Sequence, residues 1–471
     1  MTTRLNDVAV IGLGVMGGNL ARNFASRGLA VGGYTLHFDH AKALAAAHPE
    51  AKLDVVATLG ELVARLERPR RIVVLVNAGK PVDSVIEQLD PLLEAGDLVI
   101  DAGNSLYSDT DRRAEKAKAR AWRFVGMGVS GGAKGALEGP SLMPGGDVEA
   151  WERLKPVLEP IAARSKAGLC VTHCGLGSAG HFVKMVHNGI EYGDMQLIAE
   201  TASLLRDGLG LDGGAVADTF QRWNEGDLAS FLIELTGTVF RVKDEKTNGL
   251  LVDQVLDQAG QKGTGKWTVV AAAELGIAIP TITAAVDARI LSAQKATRVK
   301  AEAAHRPARS RLAGVSVDDL AHALYASKVA SYTQGFQLLR AASTAFGYGT
   351  KLSEVARIWT AGCIIRAELL GRIQSAFASS PEPDLLALAP EFVSDLARRL
   401  PAWRRVVSAA SQAGLAVPGL STSLGWYDTL TTARGSANVI QAQRDAFGSH
   451  TYERVDAPGV AVHTDWLGGG R

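Results

Sequence analysis

Val8-Ala9-Val10-Ile11-Gly12-Leu13-Gly14-Val15-Met16-Gly17 decides how the rest of the chain is read. Four apolar residues of strand character run into G-x-G-x-x-G, and Gly18 to Arg27 continues with helical spacing. In that order the glycines have separate tasks: Gly12 permits a tight turn, Gly14 lets the backbone approach a pyrophosphate, and Gly17 lets helix and strand pack closely. The amides at the helix start then face the anion. Glycine-rich turns are common and the pattern alone is weak. Strand, loop and helix in order make Gly12 to Gly17, with Leu13, Val15 and Met16 between the glycines, a dinucleotide-binding loop.

Outward from this loop, Ile72 to Val76 and Leu98 to Ile100 repeat the strand character and alternate with helix-like segments, which reads as a parallel α/β sheet. The residues that separate NAD from NADP are expected just after the second strand, where an acid holds a ribose diol and an arginine a 2′-phosphate. Tyr34-Thr35-Leu36-His37-Phe38-Asp39-His40 contains no arginine. Asp39 suits the diol, whereas His37, His40 or Lys42 suits a phosphate, so both cofactors stand.

From about Gly180 the chain changes to long Ala- and Leu-rich segments of helical period, and Gly175, Gly177 and Gly180 punctuate the change. A mostly helical second domain is expected. After about Ile440 the sequence turns irregular, with Gly448, Pro458 and a closing Gly468-Gly469-Gly470 run, and reads as a tail, either frayed or docked.

The length of 471 residues calls for more than one hydrophobic core. Lys plus Arg number 50 against 49 Asp plus Glu, so no net field draws the chain to nucleic acid or an acidic membrane. The basic stretch from Arg298 to Arg311 reads as a solvated face. No apolar run reaches the roughly 18 residues of a membrane span, and Met1 to Val10 lacks a secretory core, so the cytoplasm is the expected compartment. Cys170, Cys174 and Cys363 make no disulfide framework. Cys170, His173 and Cys174 lie close together but lack a second ligand pair, so no metal is expected.

Gly180-His181-Phe182-Val183-Lys184-Met185-Val186-His187-Asn188-Gly189-Ile190-Glu191-Tyr192 is the segment richest in chemistry. As a helix it places Lys184, His187, Asn188 and Glu191 at i, i+3, i+4 and i+7 on one face, with Phe182, Met185, Val186 and Ile190 on the flanks. The bland reading is an exposed polar face. Against it stands the narrowness of the stripe between apolar flanks, which suits a buried helix with one side in a cleft. Oxidising a secondary alcohol needs a base, and a lysine depressed by burial can serve. A β-keto acid then loses carbon dioxide, and the enediol needs an acid to protonate carbon. Lys184 and Glu191 can supply both steps.

Over nearly its whole length the chain resembles the decarboxylating 6-phosphogluconate dehydrogenases. The resemblance rests on Ile11 to Gly17, Asp101-Ala102-Gly103-Asn104-Ser105, Val129-Ser130-Gly131-Gly132, Gly139-Pro140-Ser141-Leu142-Met143-Pro144-Gly145-Gly146, Gly180 to Glu200, and Gln261-Lys262-Gly263-Thr264-Gly265-Lys266-Trp267. It implies an α/β Rossmann domain over residues 1–177, a large all-α substrate and dimerisation domain over 178–437, and a C-terminal tail over 438–471 that reaches the partner subunit. It further implies a metal-free homodimer with shared active sites. By the same resemblance Lys184 matches the general base and Glu191 the general acid. Asn188 and His187 match residues holding the substrate hydroxyls, and Asn104 lies near substrate and nicotinamide. Ser130, Gly131 and Gly132 match the loop receiving the carboxylate. Tyr192, Lys262, Thr264 and Arg289 match the phosphate site, which Arg444 and His450 of the neighbouring tail complete. Asn77, Ala78 and Gly79 match a cofactor loop.

Three departures stand out. The family's Asn-Arg-Thr or Asn-Arg-Ser after the second strand is replaced by an arginine-free stretch, Asn77 stands where a lysine commonly precedes Ala-Gly, and Ala133-Lys134 replaces an acidic pair. NADP is kept as the cofactor by the family's pattern, with NAD as the alternative. The rival readings are another β-hydroxyacid dehydrogenase, against which the tail and phosphate residues speak, and a non-catalytic dinucleotide-binding sensor, against which Lys184 and Glu191 speak.

Overall fold

The structure, a computed structural model, describes residues 4–468. Its first element, β1 (Val8–Ile11), lies inside a seven-stranded sheet with β2 (Val31–Tyr34), β3 (Asp54–Val55), β4 (Arg71–Val74), β5 (Leu98–Asp101), β6 (Arg123–Ser130) and β7 (Ser141–Pro144). The order is β3-β2-β1-β4-β5-β6-β7. Side chains alternate across the sheet, so each strand feeds two cores. Val8, Val10, Val73, Ile100 and Val125 enter the core on one face, and Ala9, Ile11, Ile72, Val74 and Val99 that on the other. Burial on both faces explains why these strands read as continuous apolar runs.

Helices α1 (Val15–Ser26), α2 (Phe38–Ala47), α3 (Leu59–Ala64), α4 (Lys80–Leu89) and α5 (Tyr107–Ala119) connect the parallel strands. Leu20, Ala21 and Phe24 of α1 close one core, and Leu62, Val82, Ile86 and Leu89 the other. Each such leucine, valine, isoleucine or phenylalanine stabilises the fold by about 1.5–3 kcal/mol. The parallel sheet expected from the alternating pattern is formed by β1 to β6, and β7 adds an antiparallel edge against β6. Only residues 131–140, with α6 (Gly132–Glu138), join the two strands, too few for a crossover. The strand expected over Ile72 to Val76 pairs only to Val74; Leu75 adds one bond to the Ile11 carbonyl at 2.8 Å before the chain leaves the sheet. Beyond α7 (Val148–Leu158) and the short hairpin β8 (Arg164–Ser165) and β9 (Gly168–Leu169), the chain becomes helical.

The long helix α8 (Ala179–Ser203) is buried on nearly every side over its first half. Its interior glycines lower helix propensity by roughly 1 kcal/mol each but let neighbours in. A Cβ on Gly180 would lie 2.3 Å from the Gly126 carbonyl oxygen, and one on Gly193 2.5 Å from Ser331 Oγ. Around α8 follow α9 (Gly213–Trp223), α10 (Phe231–Val239), α11 (Thr264–Glu274), α12 (Pro280–Ser292), α13 (Lys295–His305) and α14 (Val317–Phe346). A Ser316–Asp319 capping box starts α14 and Gly347, at φ 66°, ends it. The helices α15 (Leu352–Ile358), α16 (Glu368–Phe377), α17 (Pro390–Gln412) and α18 (Pro418–Leu430) complete the series. Among the described residues no helix is long and apolar enough to cross a membrane.

The chain divides into two compact units after Ser423. In the second, the stretch expected to be irregular forms α19 (Ala437–Gly448) and the hairpin β10 (Tyr452–Arg454) with β11 (Ala457–Val462). Asp445 organises it, accepting from the Thr451 and Thr464 amides, His463 Nδ1 and Trp466 Nε1 at 2.7–3.0 Å. A polar hub has no hydrophobic period, which is why the sequence pattern does not reveal this unit. Gly469 and Gly470 of the closing run lie outside the described residues.

Candidate active site

The loop after β1 has the strain that its glycines answer. Gly12 sits at φ +95°, and a Cβ on Gly17 would lie 1.9 Å from the Gly12 carbonyl oxygen. Above Gly14 there is open space, and a Cβ placed there would meet no atom within 4 Å. Gly14 also caps α1 in an extended conformation. These features fit a pyrophosphate laid against the helix start. His40 holds the loop from the side, its Nε2 2.9 Å from the Leu13 carbonyl oxygen. Of the candidate specificity residues, Asp39 is paired with Lys42 at 2.7 Å and is almost fully exposed, and Leu36 is 81% exposed.

A cleft of about 560 Å³ runs from this loop to the helical layer, with Met16, Asn77, Gly79, Asn104, Val129 and Lys262 among its walls. Buried Arg113 of α5 ties two turns of its wall together, those carrying Gly79 and Asn104. It donates to the Gly79 carbonyl at 3.0 Å, to Asp83 at 2.9 Å and to Asp101 at 3.3 Å. Asp101 in turn accepts from the Gly103 amide at 3.0 Å and Ser105 hydroxyl at 2.6 Å, which shapes the turn carrying Asn104.

The first turns of α8 lie directly on β6. A Cβ on Gly128 would be 2.4 Å from the Lys184 Cβ, so this glycine makes the room in which the lysine stands. Lys184 is 6% exposed and His187 fully buried, while Asn188 and Glu191 are half-buried. Burial pushes the Lys184 amine below the ordinary lysine range, opposed by the Glu191 charge. Burial also pushes the Glu191 carboxyl up, against the pull of Lys184 and Arg289 and with the help of Asp194. The two shifts converge, favouring a neutral amine beside a protonated carboxyl.

A directional chain of hydrogen bonds links the polar stripe to its neighbours. Burial, then the Lys184 charge, holds the His187 imidazole neutral. Its Nδ1 faces Asn188 Oδ1 at 3.0 Å and its Nε2 faces Ser130 Oγ at 3.3 Å. Since Asn188 Nδ2 donates to Thr264 Oγ1 at 3.2 Å, the amide oxygen takes the Nδ1 proton and Nε2 accepts from Ser130. The Arg289 guanidinium stacks over the Tyr192 ring at 3.6 Å and donates to the Gly260 carbonyl at 3.3 Å. Gly131 closes against residue 362, whose carbonyl oxygen would be 2.6 Å from a Cβ there.

Ser130, His187, Asn188 and Thr264 thus form one cluster, Lys184 and Glu191 share one stripe, Tyr192 and Arg289 form a stacked pair, and Asn104, Asn77 and Lys262 line one cleft. Arg444 and His450 belong to the second unit, where both are exposed. There Arg444 donates to Gln441 Oε1 at 2.9 Å and the His450 ring meets Phe447 at 5.9 Å. Sequence reasoning missed Arg113, Trp359, whose ring packs edge-on to His187 at 5.4 Å, and the buried Asp194, Lys328 and Tyr332 cluster behind Glu191. The charges within buried helices were the available signal for the last.

Comparison with known proteins agrees with this architecture. The family described as NAD binding domain of 6-phosphogluconate dehydrogenase matches residues 7–175, and that described as 6-phosphogluconate dehydrogenase, C-terminal domain, matches residues 180–466. The chain is 50% identical over 467 residues to the decarboxylating 6-phosphogluconate dehydrogenase of Synechocystis sp., covering 97% of each. It is 46% identical over 475 residues to the decarboxylating 6-phosphogluconate dehydrogenase 1, chloroplastic, of Arabidopsis thaliana, covering 98% of this chain and 97% of the relative. A solved structure of the Plasmodium falciparum 6-phosphogluconate dehydrogenase, described in apo form, with its cofactor NADP+ and with its substrate 6-phosphogluconate, superimposes with a TM-score of 0.94. That match has 41% identity and covers 98% of this chain and 100% of the other.

Proposed function

The chain belongs to the 6-phosphogluconate dehydrogenase family, and from that premise we propose that it oxidises and decarboxylates 6-phosphogluconate to ribulose 5-phosphate and carbon dioxide, with Lys184 as base and Glu191 as acid. The observation that carries the assignment is their shared stripe, on which burial drives the amine and the carboxyl towards their neutral forms.

A dinucleotide bound at the Gly12–Gly17 loop supplies the hydride acceptor. Neutral Lys184 takes the proton of the C3 hydroxyl as hydride leaves C3. When the C1–C2 bond breaks and carbon dioxide departs, its electron pair enters the enolate, whose oxygen takes the proton back from Lys184. Glu191 then delivers a proton to C2 of the original chain while Lys184 removes the enol proton, and transfer between the two side chains resets both. Ser130, Gly131 and Gly132 receive the carboxylate, and His187, Asn188 and Asn104 orient the hydroxyls. Tyr192, Lys262, Thr264 and Arg289 hold the phosphate, with Arg444 and His450 of a second copy completing that site in a homodimer.

For the cofactor we propose NADP with only weak discrimination against NAD. The NADP+ complex of the Plasmodium falciparum relative supports the first part. Exposed Leu36 and the pairing of Lys42 with Asp39 support the second, because neither offers the 2′-phosphate a bidentate cation. The test is to follow carbon dioxide and reduced cofactor from 6-phosphogluconate with NAD and NADP side by side. Reduction without carbon dioxide release would exclude the proposed reaction.

A further inference from the structure

Behind the stripe, α8 turns a second acid inward. Asp194, three residues beyond Glu191, is 1% exposed. Its Oδ2 accepts from Lys328 Nζ at 2.7 Å and from the Tyr332 hydroxyl at 3.2 Å, both on α14 and both buried. Its Oδ1 accepts from no group among the described residues. A carboxylate served on one oxygen alone, in a region of low dielectric, keeps much of its field. Stability is a poor reason for such a pair, because desolvating two charges is costly and apolar residues of similar volume commonly serve as well. The single Tyr332 O–H is shared between Asp194 and the Ile365 carbonyl, 3.1 Å away, which ties the pair to the segment carrying Trp359 and Cys363.

Glu191 needs such a neighbour if it is the acid, the reading on which this inference rests. Lys184, His187 and Asp194 on α8, Arg289 on α12 and Tyr332 on α14 neighbour it, while Lys328 on α14 pairs with Asp194 and Cys363, on the segment after α15, lies near Lys184 and Tyr332. Lys184 and Arg289 both pull the proton off Glu191, and Asp194 opposes them. Burial keeps the Cys363 thiol protonated, pushed up to about 12, and the Tyr332 phenol protonated too.

We infer that the buried Asp194–Lys328 pair is a charge-setting and positioning element for Glu191: Asp194 keeps the proton on the acid until carbon takes it, and Lys328 with Tyr332 holds Asp194 in place. Of the pair, Asp194 is the member on the same helix as Glu191, three residues on, and its charge opposes those of Lys184 and Arg289 there.

The test is the pH profile of kcat at saturating substrate and cofactor for the full-length Asp194→Asn and Asp194→Asn/Lys328→Met variants. The second removes both charges and leaves neither stranded; the first carries the test should the double variant not fold. The limb that reports Glu191 is the one that Glu191→Gln removes; it is expected to move down by about one pH unit in Asp194→Asn and to move down in the double variant as well, with the other limb unmoved. Lys328→Arg, which keeps the charge, leaves both limbs in place. A uniform loss of activity at every pH, with both limbs unmoved, overturns the inference and leaves the pair a packing element. A profile that keeps both limbs in Glu191→Gln removes the acid assignment itself, which separates failure of the premise from failure of the inference.

Discussion

A lysine amine acts as a base only when neutral, so the environment of Lys184 matters more than its presence. With the amine lowered and the Glu191 carboxyl raised by burial, the active form, with Lys184 neutral and Glu191 protonated, is expected to be populated within a window of pH. The result is a bell with its limbs drawn inward from the ordinary lysine and carboxylate values of about 10.4 and 4.3. Replacing Lys184 by Met is expected to lower kcat by roughly 10²–10⁴ while calorimetry still detects binding of 6-phosphogluconate; unchanged turnover would remove the base from Lys184. The i, i+3, i+4, i+7 spacing placed these side chains on one helix face from local geometry alone. It could not place His187 between Ser130 and Asn188, because those bonds depend on how β6 and α11 meet the helix.

At the scale of elements, function depends on how closely α8 rests on β6. Gly128 leaves the space that Lys184 fills, so Gly128→Val is expected to shift the helix, cost about 1–3 kcal/mol of stability and depress activity further than that loss explains. Denaturant melts beside kinetics check this, and a variant of native stability and activity would show that the contact yields freely. After β2, Leu36→Arg introduces a guanidinium at an exposed position of the stretch expected to separate NAD from NADP. It is expected to raise the ratio of kcat/KM for NADP over NAD by roughly tenfold, and an unchanged ratio would place the 2′-phosphate elsewhere. Strands β1 and β5 and helix α8 were legible because their apolar patterns are local. The reversal of β7 was hidden in a connection whose length, more than its composition, sets direction.

The whole molecule carries the claim of a shared site. If Arg444 and His450 of one copy hold the phosphate bound by another, a chain ending before Arg444 is expected to show a KM for 6-phosphogluconate raised at least tenfold, since each charge-assisted hydrogen bond contributes about 1.5–3 kcal/mol. Mixing that chain with the Lys184→Met variant under conditions that allow subunit exchange is expected to restore activity, as each copy supplies what the other lacks. Absence of complementation despite mixed dimers on size-exclusion chromatography with tagged chains would confine Arg444 and His450 to their own copy. The C-terminal unit itself was not legible, for it is built around the polar hub Asp445 rather than an apolar period.

The chain alone determined the α/β beginning, the glycine loop, the switch to helices near Gly180 and the polar stripe of α8. Each follows from backbone sterics or side-chain period within a turn or a strand. Tertiary structure decided the rest: which face of α8 is dry, that Asp194 faces Lys328 134 positions away, and that Arg113 fastens the turns at Gly79 and Asp101. Proton affinity and hydrogen-bond partnership are set by distance in space and by exclusion of water, and neither quantity is written in the spacing of residues along a chain.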